Sequence, residues 1–349
     1  MKYTTFGRNT GLRVSELALG TGNFGTGWGY GSEKQEARQV FDRYVEAGGN
    51  FIDTADGYQL GQSEQMVGEF IAAERDSFVL ATKYTLGASA AGGIGQTGNS
   101  RKNMIASVEA SLKRLNTDRI DLLWAHFSDN LTPMEEIVRT FDDLIRAGKI
   151  QYAGLSNFPA WRIARADTLA ELRGWSRIAG IQVEYSLVER SAERELLPMA
   201  EALGMAAALW SPLGGGLLTG KYRHSDAGRL VGLGGRLVHV EHDPRLLDEV
   251  LAIAQEWQAQ PVQVAIAWLR HRAAHAATSL IPILGSRTRQ QLDDTLAALT
   301  LTLSERQIAR LDQVSAIEPG TPHRQIAETL ARTQGGDSGR FAPLRIPRA

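Results

Sequence analysis

Short hydrophobic runs alternate along this chain with longer stretches in which apolar residues recur every three or four positions. The short runs lie at 17–20, 50–55, 78–83, 120–126, 152–157, 181–186, 205–212 and 279–285, each of strand length. Between them, 33–47, 101–115, 133–147, 192–203 and 245–257 carry the spacing of helices that bury one face. Gly48, Gly148 and Gly204 stand just past such patterns, where a helix ends readily in a left-handed residue. Pro133 stands near the first turn of another, where a missing N–H costs little. Before the rhythm begins, residues 3–17 alternate around Asn9, Thr10 and Gly11 and read as a hairpin. Repeated strand and helix predict right-handed βαβ units and a parallel sheet. Eight strands fit a closed (β/α)8 TIM barrel, with an open doubly wound sheet as the alternative.

Three stretches break the rhythm: 87–100 is rich in Gly, Ala and Ser, 221–244 in Gly and His, and 319–349 is polar with little periodicity. Loops of that length serve as functional lids or disordered segments. No Pro/Ser-rich linker separates two cores, so the 349 residues read as one α/β domain: hairpin 1–16, barrel 17–315, tail 316–349. Lys and Arg number 38 against 39 Asp and Glu, a balance that argues against nucleic-acid or membrane-surface partners. Cysteine is absent, which excludes disulfides, thiolate metal sites and thiol nucleophiles. The start, MKYTTFGRNT, lacks an apolar signal region, and no apolar run reaches the roughly 18 residues of a membrane span. A soluble cytoplasmic protein is expected.

Several motifs mislead. GTGNFG at 20–25 matches the dinucleotide fingerprint, but TGWGYG follows where that fingerprint must open a helix. GGLLTGK at 215–221 nearly matches a phosphate-binding loop, yet Tyr222 replaces the hydroxyl that would hold Mg²⁺. A glycine turn with a lysine facing phosphate remains a fair reading there. His239, Glu241, His242 and Asp243 sit in a glycine-rich loop, and His271 and His275 lack the Glu of a zinc helix, so no metal is assigned.

The informative residues close the apolar runs. Asp53 ends NFIDTA and Tyr58 follows; Lys83 ends FVLATK; His126 ends IDLLWAH. In a barrel these strand ends converge on the C-terminal face, where barrel enzymes do chemistry. Singly, Asp53 reads as a cap, Lys83 as solvated and His126 as a core histidine. Four polar groups on three successive strand ends are another matter, because buried strand ends are costly ground for unpaired charge. They suit proton transfer to a carbonyl oxygen. A free tyrosine titrates near pH 10, and a neighbouring ammonium held by a carboxylate favours its ionised form. His126 can donate a hydrogen bond that orients the carbonyl.

Over nearly its whole length the chain resembles the aldo-keto reductases. The resemblance is carried by NFIDTADGYQLGQSE, FVLATK, DLLWAH, GLSNF, IQVEYSLVER, WSPLGGGLLTGKY and IPILGSRTRQQLDD. It implies NADP(H) bound in extended form without a Rossmann fold, with Tyr58 as general acid/base and Asp53, Lys83 and His126 completing a tetrad. By the same resemblance Thr21, Gly22 and Asp53 approach the cofactor, Ser156, Asn157 and Gln182 hold the carboxamide, and Trp210 stacks on the nicotinamide. Ser211, Leu213, Gly216 and Lys221 match the pyrophosphate turn and clamp, Arg229 a second clamp, and Gly285, Ser286, Arg287 and Gln291 the adenosine 2′-phosphate segment. Helix N-terminal amides from Thr288 onward are expected to add positive potential there. Thr295 departs from the pattern, standing where relatives often place an Asn on the adenine.

The branch resembled contains aryl-alcohol dehydrogenases, stress reductases and potassium-channel β subunits. It therefore implies an NADPH-dependent reductase of small-molecule aldehydes or ketones, with a redox-sensing, cofactor-loaded regulatory module as the rival. His126 separates them, since channel-type subunits lack it. A lyase or isomerase barrel would leave the adenosine-side motif unexplained. Trp28, Tyr30, the 87–100 loop and the tail are the expected substrate-pocket segments, and Trp28 and Tyr30 suggest an aromatic or apolar wall. Substrate identity and oligomeric state are not written in the sequence.

Overall fold

Eight parallel strands close on themselves in the computed structural model, which describes residues 1–89, 92–221, 244–342 and 346–347. A short antiparallel hairpin, β1 (Tyr3–Thr5) and β2 (Arg13–Ser15), precedes them. The barrel strands are β3 (Ala18–Gly20), β4 (Phe51–Asp53), β5 (Val79–Tyr84), β6 (Ile120–Ala125), β7 (Ile150–Ser156), β8 (Ile178–Glu184), β9 (Ala206–Trp210) and β10 (Leu280–Leu284). They pair in chain order, and β10 pairs back onto β3. That last pairing excludes the open sheet.

Each of the eight predicted runs overlaps one of these strands, with ends displaced by up to three residues. The predicted helices appear as α1 (Lys34–Glu46), α3 (Arg101–Leu115), α4 (Met134–Arg146), α6 (Leu196–Leu203) and α7 (Pro244–Glu256). Gly48, Gly148 and Gly204 all take the expected positive φ after their helices, 85°, 72° and 75°. The helices α2 (Gln62–Ile71), α5 (Ala160–Arg173), α8 (Pro261–His275) and α10 (Glu305–Val314) were not marked out by the pattern, and α9 (Arg289–Leu296) was anticipated only as a start at Thr288. The tail corrects the reading directly, because α11 (His323–Thr333) forms where little periodicity was seen. Its Ile326 and Leu330 lie one turn apart and are both exposed, too thin a stripe to stand out among polar neighbours. The stretch 192–203 is helical only from Leu196; before it, Arg190 pairs with Glu193 across a single tight turn. Of the 221–244 loop only Lys221 and Pro244 lie within the described residues.

Side-chain alternation divides each strand between two environments. Ile52, Leu80, Leu123, Leu155 and Leu209 pack outward under the helices. Phe51, Val79, Ala81, Leu122, Trp124, Ala206 and Ala208 form a separate inner core with Phe6 and Val14 of the hairpin. Phe6 is fully buried, edge-on to Phe51 at 5.7 Å and to Trp124 at 6.1 Å. Gly7 N–H donates to Ser279 and Arg8 N–H to the Gly204 carbonyl, so the hairpin seals the end at which the strands begin. Two strand glycines make room for this plug. A Cβ on Gly180 would stand 2.7 Å from the Phe6 ring, and one on Gly154 2.3 Å from the Trp124 ring. With that end filled, the interior is open to chemistry only at the C-terminal end.

Candidate active site

Strand parity carries the polar residues inward. Asp53, Lys83, His126 and Trp210 stand two residues beyond Phe51, Ala81, Trp124 and Ala208, each a member of the inner core. After β4 the chain stays tied to β5, with Thr54 N–H on the Ala81 carbonyl and Asp56 N–H on that of Lys83. It then turns sharply, with Gln59 and Leu60 at φ 52° and 58°, and this turn folds Tyr58 back over Lys83.

Lys83 is fully buried, and its three N–H bonds are all spent. They go to Asp53 Oδ2 at 2.5 Å, the Thr54 carbonyl at 2.8 Å and the Tyr58 hydroxyl at 3.0 Å. Burial works against the ammonium, but Asp53 and Tyr58 outweigh it and hold the Lys83 pKa above its usual value. The other Asp53 oxygen accepts from Gln182 Nε2 at 2.8 Å across the barrel. His126 lies 5.9 Å from the Tyr58 ring, near-perpendicular at 77°. Burial first, and the Lys83 charge second, push its pKa well below 6.5, so it is a neutral imidazole near pH 7. The four predicted catalytic side chains meet at one point.

Behind them the wall is polar and fastened. Ser63 Oγ donates to Thr21 and pairs with Thr54 Oγ1 at 2.9 Å, and Thr21 Oγ1 donates to the Asp53 carbonyl. The hydroxyl of Thr21, expected toward a cofactor, is thus committed to the wall. Fully buried Glu64 accepts from Thr82 Oγ1 at 2.5 Å and Arg114 Nε at 2.6 Å. Beside it Asp56, also buried, has its carboxyl pushed up to about 7 by burial and the Glu64 charge.

The predicted nicotinamide-side residues also converge. Asn157 donates to the His126 carbonyl and to Ser156 Oγ, and accepts from Trp210 Nε1 at 3.1 Å. Ser156 pairs with Gln182 in register between β7 and β8. Ser211 takes φ 55° and its Oγ accepts from Gly215 N–H, opening the tight turn Gly214–Thr219 that also contains Leu213 at its entry and Gly216. Lys221 is exposed at the end of that turn, and Arg229 lies outside the described residues.

Further round the rim, Ser286 is buried and Arg287 exposed, directly after β10. Several N–H groups here are engaged by side chains: Arg287 N–H donates to Gln291 Oε1, and in α9 Arg289 N–H donates to Glu36 and Gln291 N–H to Thr288 Oγ1. Thr295 is buried and its hydroxyl serves the Gln291 carbonyl. Beside Tyr58, Trp28 approaches edge-on at 5.9 Å, Tyr30 lies 6.0 Å from Trp28, and Phe127 lies 5.0 Å from His126. Phe127, Asp56 and the glutamines 59 and 62 escaped the sequence reading; the only signals were their places beside His126, Asp53 and Tyr58. Among the described residues no cluster of metal-ligating side chains exists, and no helix is long and apolar enough to cross a membrane.

The profile of the aldo/keto reductase family matches residues 16–316. The chain belongs to the aldo/keto reductase family. Over 92% of its length this aldo/keto reductase is 36% identical to norsolorinic acid reductase of Aspergillus flavus, covering 83% of that protein. It is 36% identical to an uncharacterized oxidoreductase of Bacillus subtilis, covering 90% of this chain and 96% of that one. It is also 32% identical to a Saccharomyces cerevisiae protein with the provisional name aryl-alcohol dehydrogenase, covering 94% and 90% of the two chains. The family and these names make it an oxidoreductase, in a family that uses nicotinamide cofactors.

Proposed function

We propose that this aldo/keto reductase reduces aldehyde or ketone carbonyls with NADPH, using Tyr58 as general acid and base. The observation that carries the reading is the buried Lys83 ammonium, donating to the Tyr58 hydroxyl at 3.0 Å while Asp53 balances its charge at 2.5 Å. When bound, the nicotinamide supplies a hydride to the carbonyl carbon. The Tyr58 hydroxyl gives its proton to the carbonyl oxygen, and the Lys83 ammonium stabilises the phenolate left behind. Asp53, held on both oxygens, keeps the ammonium in place. Neutral His126 has one N–H to give and no proton to lose, so it orients the oxygen and leaves proton transfer to Tyr58. Its presence also argues against the regulatory-module reading.

The chain's residues fit a phosphorylated dinucleotide. Trp210 is half-buried with its edge fixed by Asn157, and Ser286 and Arg287 offer a hydroxyl and a guanidinium suited to a phosphate ester. With the N–H groups of Arg289 and Gln291 engaged, those two side chains carry the preference for NADPH over NADH. Trp28, Tyr30 and Phe127 favour carbonyls with apolar or aryl substituents. The test is NADPH consumption over aldehydes, ketones, dicarbonyls and quinones, with wild type and Tyr58→Phe. The variant should lose about 10² to 10⁴ in rate while keeping its affinity for NADPH. Near-native turnover in Tyr58→Phe removes tyrosine from the mechanism, and cofactor binding with no turnover on any substrate removes the enzyme reading.

A further inference from the structure

We infer that Gln59 is a positioning residue that sets selectivity for aryl carbonyls, by fixing the 22–32 loop and its Trp28 against Tyr58. The inference rests on the reading of Tyr58 as the proton donor. Gln59 follows Tyr58 directly, is fully buried, and holds a left-handed backbone at φ 52° that side chains other than glycine seldom adopt. Its side chain spans the loop. Nε2 donates to the Gly22 carbonyl at 2.9 Å, and Oε1 accepts from Trp28 N–H at 3.0 Å. Gln62 adds a second clasp, its Oε1 accepting from Thr26 N–H at 2.9 Å and Gly27 N–H at 3.2 Å.

The docking is at backbone contact. A Cβ on Gly27 would stand 2.5 Å from the Gln59 carbonyl oxygen, and one on Gly25 2.7 Å from Gln62 Oε1. Gly22 in turn lies on the Tyr58 ring, its Cβ position 3.7 Å away. Gly25 of the false dinucleotide motif and Gly27 just beyond it are therefore what lets this loop close on the turn after Tyr58. Its base is anchored elsewhere. Asn23 Nδ2 donates to the Gly285 carbonyl at 2.7 Å, Ser32 Oγ to that of Arg287 at 2.6 Å, and Ser32 N–H to that of Asn23 at 2.7 Å. Removing the Gln59 clasp thus releases Trp28 N–H and the Gly22 carbonyl, while Gln62 still holds Thr26 and Gly27 and the base stays in place. The tip is where Trp28 stands edge-on to Tyr58, with Tyr30 against it.

The glutamine amide supplies both the donor and the acceptor this clasp needs. Leucine, of similar size, supplies neither, and glutamate supplies only the acceptor. A flat aryl carbonyl that packs on Trp28 loses its wall when the tip moves, whereas a short aliphatic carbonyl depends chiefly on Tyr58 and His126. The experiment measures kcat/KM for benzaldehyde and propanal in wild type, Gln59→Leu, Trp28→Ala and the double variant, with melting temperatures alongside. The benzaldehyde-to-propanal ratio should fall about tenfold in Gln59→Leu, mainly through KM. The double variant should fall no further than Trp28→Ala alone, because both changes remove one wall. A ratio within twofold of wild type, or losses that simply add in the double variant, overturns the inference. Should Gln59→Leu not fold, Gln59→Glu is expected to give an intermediate ratio, and a wild-type ratio there is equally fatal. Wild type that reduces neither aldehyde overturns the proposed function, and this inference with it.

Discussion

Asp56→Asn should make the protein progressively more stable than wild type as the pH rises from 5 to 8. Asp56 is 2% exposed and has a buried oxygen, Oδ1, without a hydrogen-bond partner. Burial and the Glu64 charge raise its carboxyl from 3.8 to about 7, with Arg114, the Gly57 N–H and Lys83 pulling partly back. Between those values the native protein keeps a proton that the unfolded chain has released. The stability this proton contributes is therefore complete below about 3.8 and is lost as the pH rises through about 7. A gap of about three pH units at roughly 1.4 kcal/mol each makes the whole loss about 4 kcal/mol. Over a third of it is gone by pH 5, leaving roughly 2 to 3 kcal/mol to appear by pH 8. Unfolding entropy of about 2 cal/mol/K per residue converts that into roughly 4 °C for a chain of 349 residues. Asparagine carries no charge and has no such slope. Calorimetric melts of both proteins from pH 5 to 8, at constant ionic strength, should show the two curves separating. Parallel curves would mean that Asp56 is ionised in the native state throughout, and the argument from burial would be refuted.

Lys83→Met should abolish most turnover and cost about 3–5 kcal/mol of stability, because Asp53 is left buried without its counter-charge. In alcohol oxidation, the pH at which the residual rate rises should move upward; an unmoved profile would break the pairing of Lys83 with Tyr58. Arg287→Ala should weaken NADPH binding about ten- to a hundredfold and scarcely affect NADH. Titration of both cofactors against both proteins decides it, and equal losses would defeat the assignment of Arg287 to the 2′-phosphate.

The barrel and its tetrad were legible because strand parity is a local signal. Asp53, Lys83 and His126 close their runs in step with Phe51, Ala81 and Trp124, so one face of three strands announces both core and site. Strand ends were less legible where glycine intervened. Gly180 looks like an interruption before the run at 181–186, yet it is a paired strand residue whose missing side chain admits Phe6, as that of Gly154 admits Trp124. The turn after Tyr58 was hidden for the opposite reason: Gln59 and Leu60 take left-handed φ without any glycine to signal it, held there by partners more than thirty residues away. Asp56 was hidden likewise, since its environment is made by Glu64 and Arg114 only once α2 and α3 have packed. The partners of the α9 amides were hidden because a helix start is visible in sequence, whereas the Glu36 that engages one of them lies 253 residues earlier.

The hairpin that plugs the barrel also bears on when the barrel can be assembled. Phe6 rests on Phe51 and Trp124, but its neighbours in the chain are tied to Gly204 and to Ser279, the latter 272 residues away. The hairpin leaves the ribosome before any barrel strand, yet its seat is incomplete until the eighth strand has been made. Ring closure between β3 and β10 and the seating of Phe6 are thus coupled into one late event. Until then the nascent chain carries two open strand edges and an uncovered aromatic floor, the features that invite association with other chains. A polypeptide interrupted after β9 would hold Lys83, Tyr58 and His126 in sequence and still lack the strand that closes the ring around them.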